Sequence, residues 1–99
     1  MIPPECVHNA HMYYLLLPSL EARSRFIDVL KQHEIGAVFH YVPLHSSPAG
    51  KRLGRTHGSM SVTDDTSDRL VRLPLWVGLD PYLDEVFEAA RLALASQGP

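Results

Sequence analysis

Residues 11–17 run His-Met-Tyr-Tyr-Leu-Leu-Leu between Asn9 and Pro18, with no polar side chain after the histidine. A strand with one face in water alternates apolar and polar residues, and this one does not. The run therefore calls for a strand covered on both faces. The chain has 99 residues, enough for one core but too few to enclose a large cofactor pocket. One of the two coverings is accordingly expected from outside the chain. The apolar part, Met12 to Leu17, is far short of the roughly 20 residues that span a bilayer.

The rest of the chain supplies partners for that strand. Ser19 can cap a helix in which Ala22, Phe26, Ile27 and Leu30 follow helical spacing, while Arg23, Arg25, Asp28 and Lys31 stay outside. Gly36 offers the left-handed conformation at which such a helix stops. A second strand is expected over 37–41, ended by Pro43. Residues 44–62 hold three glycines, four serines and Pro48 without periodicity, and read as a long loop with room for one helical turn after Pro48. Thr63, followed by Asp64 and Asp65, marks a short helix whose first-turn acids complement the dipole. It leads into a third strand over 70–76, interrupted or bounded by Pro74. Asp80-Pro81 then starts a closing amphipathic helix with Leu83, Val86, Phe87, Ala90 and Leu94 as its buried stripe. The expected architecture is an α/β (α+β) two-layer sandwich: about three mainly antiparallel strands with helices on one face, all in a single domain over 1–99 with a flexible lead-in at 1–8.

Charge and cysteine content remove several functions. Nine basic and eleven acidic residues leave a net charge of -2, so no field favours a nucleic acid or an anionic membrane. The first five residues lack the basic and apolar regions of a signal peptide, which points to a cytoplasmic protein. Cys6 is the only cysteine, so an internal disulfide and a thiolate-rich metal site are excluded. The histidine pairs His8 with His11 and His40 with His45 lack a nearby acidic third ligand, and no metal site is expected.

Two clusters remain. Gly50-Lys51 is not a phosphate loop, because His45 stands where its first glycine belongs and Arg52 where a magnesium-binding hydroxyl belongs. Lys51, Arg52, Arg55 and His57 nevertheless gather on one segment, readable either as a solvated loop or as donors for a phosphate-bearing ligand. His40, Tyr41 and His45 sit at the end of the second strand, beside that basic loop and a proline-stiffened turn. They read either as half-buried edge residues or as pocket residues. Ser46 and Ser47 adjoin His45, but no Gly-x-Ser-x-Gly elbow supports a hydrolase.

Three segments resemble a known family: Asn9-Ala10-His11-Met12-Tyr13-Tyr14, the ungapped stretch from Ile35-Gly36-Ala37-Val38-Phe39-His40-Tyr41 through Val42-Pro43-Leu44-His45-Ser46-Ser47-Pro48-Ala49-Gly50, and Arg72-Leu73-Pro74-Leu75. Together they are similar to the C-terminal domain of the DegT/StrS-type nucleotide-sugar aminotransferases. The resemblance implies a pyridoxal 5'-phosphate enzyme of the aspartate-aminotransferase fold, a homodimer that moves an amino group from L-glutamate to a nucleotide-linked 4-keto-6-deoxy sugar. It also implies that the Schiff-base lysine, the cofactor carboxylate and the phosphate cup lie in a large N-terminal domain. The two lysines present, Lys31 and Lys51, lack that lysine's context. On this reading the chain is the small domain, inactive alone, with no catalytic residue of its own. His40, Tyr41 and His45 would contact the sugar, and Lys51, Arg52 and Arg55 the diphosphate. The other class of reading is a free-standing ligand-binding or dimerisation module with a ferredoxin-like sandwich.

Overall fold

A computed structural model describes residues 2–96. Three strands, β1 (Tyr13–Leu16), β2 (Val38–Phe39) and β3 (Leu70–Leu73), form an antiparallel sheet in the order β1-β3-β2. Four helices accompany it: α1 (Leu20–Gln32), α2 (Pro48–Leu53), α3 (Ser61–Arg69) and α4 (Leu83–Ala95), the last preceded by a 3-10 turn at Asp80–Tyr82. The molecule is thus a small α+β domain. Among the described residues no helix is long and apolar enough to cross a membrane.

The register sorts the sheet's side chains. Leu15, Val71 and Phe39 form one row, and Tyr14, Arg72 and Val38 form the next. Facing residues of an antiparallel pair share a face and successive residues alternate, so the two rows lie on opposite faces. The first row is the inner one: Val71 is fully buried, and Leu15 and Leu73 pack with it against Ala22, Phe26 and Leu30 of α1 and Ala89, Ala90 and Ala93 of α4. On the outer face Tyr14, Leu16 and Val38 stay about half exposed, each near 50%. The expected two-sided burial of the first strand is therefore half realised within the chain.

Local signals explain most boundaries and correct others. Ser19 caps α1, its Oγ accepting the Ala22 amide at 3.2 Å. The helix stops before Gly36: Glu34, not Gly36, takes the left-handed conformation at φ 60°. The Glu34 amide donates to Lys31 O at 3.0 Å and the Ile35 amide to Leu30 O at 2.9 Å, the paired closing bonds of a Schellman motif. The second strand is shorter than 37–41 because Tyr41 turns to φ 41°, outside the β region. The third strand ends at Leu73, where Pro74 brings no amide to the ladder. α3 starts at Ser61, with Met60 at the cap position and no side-chain cap, so Thr63 lies inside the helix. On α4 the buried stripe is Val86, Ala89, Ala90 and Ala93, whereas Phe87 and Leu94 point to solvent. Small side chains let α4 approach α1 closely, and the bulkier pair is left on the far side.

The surface is large for the chain length. A folded monomer of this size exposes about 5,600 Å² by the usual scaling, and this one exposes 7763 Å². Its radius of gyration, 15.9 Å, likewise exceeds the ~13 Å of a compact chain of about 100 residues. Large apolar side chains are exposed on this surface, including Val42, Leu44, Leu53, Val62, Trp76 and Val77.

Candidate functional site

The end of β2 opens into a turn that positions three of the candidate residues. The His40 and Tyr41 rings meet edge to face, 5.1 Å between centroids. The Arg72 guanidinium lies 5.3 Å over the other ring system, that of Tyr41, as a cation–π contact, and Ser67 Oγ donates to the Tyr41 carbonyl at 3.3 Å. These contacts hold Tyr41 in its left-handed conformation. His40 Nδ1 is buried and has no hydrogen-bond partner among the described residues. Past Pro43, the serines serve the backbone: Ser46 Oγ donates to Pro43 O at 3.1 Å, and Ser47 Oγ donates to Leu44 O at 2.8 Å and accepts the Gly50 amide at 2.9 Å as the α2 cap. Neither serine is arranged as a nucleophile beside a base.

Gly50 is fixed by this turn. A Cβ there would overlap the Leu44 carbonyl oxygen and lie 2.6 Å from the carbonyl carbon, so only glycine lets α2 begin this close to the turn. The approach places Lys51 and Arg55 beside His45, and with Leu44, Thr56, Met60 and Thr63 these line an open groove of about 700 Å³. His40 and Tyr41 line a neighbouring cleft of about 460 Å³ with Thr66, Ser67 and Leu70. Leu44 and Thr63 border both, so groove and cleft adjoin. Arg52 lies outside both linings, as does His57. Five of the six candidates thus line two adjoining concavities, basic at the α2 end and aromatic at the β2 end.

Distant contacts supply what local sequence reading missed. His45 Nε2 is 2.8 Å from Asp64 Oδ1, with the imidazole side chain only 14% exposed. α3, which carries Asp64, buries no residue and is held by arginines. Arg69 Nε donates to Leu17 O at 2.8 Å and its Nη1 to Asp65 at 2.6 Å, while Arg23 Nη1 donates to Ser67 O at 3.0 Å. Arg23 of α1 also lies 5.2 Å over the Phe39 ring on the inner face. In the sequence Asp64 carries only the signal of a first-turn helix acid, which says nothing of a histidine 19 residues earlier.

The residues present do not fit a pyridoxal-phosphate attachment site. Lys31 is exposed in the last turn of α1. Lys51 is exposed on α2, and its groove has no carboxylate in its lining to meet a pyridinium nitrogen. Among the described residues, no three His, Cys, Asp or Glu side chains converge as a metal site. The groove instead offers cationic donors, hydroxyls and an imidazole, the chemistry of binding and orienting a polar anionic ligand.

Comparison with known proteins identifies the family to which this sequence is similar. A family model, that of the DegT/DnrJ/EryC1/StrS aminotransferase family, matches residues 1–91 and so includes the sheet, the turn after β2, the groove and most of α4. The chain belongs to the DegT/DnrJ/EryC1/StrS aminotransferase family.

Proposed function

We propose that the chain is the C-terminal small domain of a pyridoxal-phosphate-dependent sugar aminotransferase, of the kind represented by dTDP-4-amino-4,6-dideoxygalactose transaminase. In this reading the assembled enzyme, a cytoplasmic homodimer, passes an amino group from L-glutamate to a nucleotide-linked 4-keto-6-deoxy sugar used in lipopolysaccharide or common-antigen synthesis. The cofactor, bound to a lysine of the large N-terminal domain, supplies the electron sink. The small domain contributes position and charge. Lys51 and Arg55 meet the substrate diphosphate, with Arg52 adding to the field from outside the groove. His40, Tyr41 and His45 contact the sugar end.

The observation that carries this reading is that the basic groove adjoins the His40–Tyr41 cleft, with a charged end for a diphosphate and a hydrogen-bonding end for a sugar. The excess of total surface, with large apolar side chains exposed on it, supports the companion claim of a missing partner: roughly 2,000 Å² beyond the scaling value is more than twice what one side of a standard interface buries. Alone, the chain is inactive, because neither lysine sits in an attachment site.

In the assembled enzyme, Lys51→Ala with Arg55→Ala should raise KM for the nucleotide sugar about tenfold or more, as expected when charged contacts of ~1.5–3 kcal/mol are lost. KM for L-glutamate should stay unchanged. His40→Ala should lower kcat/KM for the sugar. Unchanged constants in both variants would remove the surface from substrate binding.

A further inference from the structure

The Asp64 carboxylate approaches His45 Nε2 at 2.8 Å, its one side-chain hydrogen-bond partner among the described residues. An ionised carboxylate only accepts hydrogen bonds, so the contact requires the hydrogen on Nε2. In the neutral ring the lone pair then resides on Nδ1, and no described residue bonds that atom. The ring lines the groove beside Lys51 and Arg55, while Asp64 does not. We infer that Asp64 is the positioning residue of His45: it selects the Nε2–H tautomer, so that the groove presents an acceptor, Nδ1, next to two cationic donors.

The consequence deepens, and rests on, the substrate reading above. An acceptor repels phosphate oxygens and attracts a hydroxyl or N–H, so His45 sets which end of a ligand lies where. The diphosphate goes to Lys51 and Arg55, and a sugar hydroxyl donates to His45. Asp64 also ties the turn at 44–47 to α3, two segments with no backbone pairing to each other, which fixes the distance from the acceptor to the cations.

The tautomer can be read from the imidazole nitrogen shifts of the ¹⁵N-histidine-labelled chain at alkaline pH. His45 should show one protonated nitrogen, Nε2, while exposed His8 and His57 show averaged tautomers in the same spectrum. Asp64→Leu should bring His45 to the averaged pattern, and Asp64→Asn, which keeps an acceptor oxygen, should retain much of the fixed one. Averaged shifts for His45 in the parent chain, or parent-like shifts in Asp64→Leu, would overturn the role of Asp64. Two probes then separate this inference from the substrate reading. dTDP-glucose, with hydroxyl donors, should move Nδ1; inorganic pyrophosphate should move the amides of Lys51 and Arg55 and leave Nδ1 in place. A fixed tautomer whose Nδ1 ignores dTDP-glucose while groove amides respond overturns the acceptor's role in binding and spares the substrate reading. No response of any groove signal to either probe overturns both.

Discussion

Gly50→Ala sets two opposed effects against each other at the point where α2 begins. By intrinsic propensity alanine is favoured over glycine in a helix by about 1 kcal/mol. Against this, the new Cβ would overlap the Leu44 carbonyl oxygen and lie 3.0 Å from Ser47 Oγ. That carbonyl accepts both the Ser47 hydroxyl at 2.8 Å and the Ser47 amide at 3.3 Å. Moving it away removes two hydrogen bonds of ~0.5–1.5 kcal/mol each and disturbs the Ser47 cap, which contributes ~1 kcal/mol. The loss of roughly 2–4 kcal/mol exceeds the propensity gain. α2 buries no residue and Leu53 at its end is 77% exposed, so the chain can relieve the overlap by unwinding this helix alone. The expected result is local: amide shifts over 44–56 move toward coil values and hydrogen-exchange protection there is lost, while the melting temperature of the core changes by less than about 4 °C, the shift that ~1 kcal/mol produces in a domain this small. Unperturbed amides in Gly50→Ala would refute the close approach. A drop in melting temperature of 10 °C or more would refute the claim that α2 is independent of the core.

Other consequences follow from the same structure. Glu34→Gly removes a side chain from the left-handed region, relieving ~1–2 kcal/mol against a chain-entropy cost of ~0.5–1, so the melting temperature should rise by a few degrees. Phe26→Ala opens a cavity beside Leu30 and Val71, and the ~3–5 kcal/mol lost is enough to leave a core of this size largely unfolded by circular dichroism at 37 °C. Arg91, bonding at 3.0 and 2.7 Å, holds the Glu88 carboxyl below the ordinary glutamate value, and the Glu21 carboxyl is held down by its own amide and then by Ser19. Both groups bind protons more weakly when folded. Their contribution is therefore complete above the unfolded value of about 4.3 and disappears as pH falls through the folded values, so acid titration should lower stability below about pH 4 and less steeply in Glu88→Gln.

The fold was legible where local chemistry decides. Ser19 marked α1, Pro48 marked α2 and Pro74 closed β3, because caps and missing amides act within a turn of the chain. On α4 the expected Val86 and Ala90 are buried but Phe87 and Leu94 are not, because apolar bulk is a poor sign of burial where two helices pack closely and Ala89, Ala90 and Ala93 fit for being small. Gly36 was the expected helix stop, but the Schellman closure falls two residues earlier and Glu34 bears the strain. At the candidate site, Lys51, Arg55 and His45 were visible as a cluster in sequence. Asp64 was not, since its contact with His45 joins separate elements, and Arg72 entered only through the strand register that sets it beside Tyr41.

The role proposed for this chain is to bind and orient a nucleotide sugar for chemistry performed on a partner domain. Its most direct measurement is 2-oxoglutarate release from L-glutamate with pyridoxal phosphate and a nucleotide-linked 4-keto-6-deoxy sugar. The chain alone should give no release above the blank. Joined to a family large domain carrying the attachment lysine, it should give turnover that falls when Lys51 and Arg55 are both alanine. Turnover by the chain alone, or a joined enzyme indifferent to those two substitutions, would contradict the account.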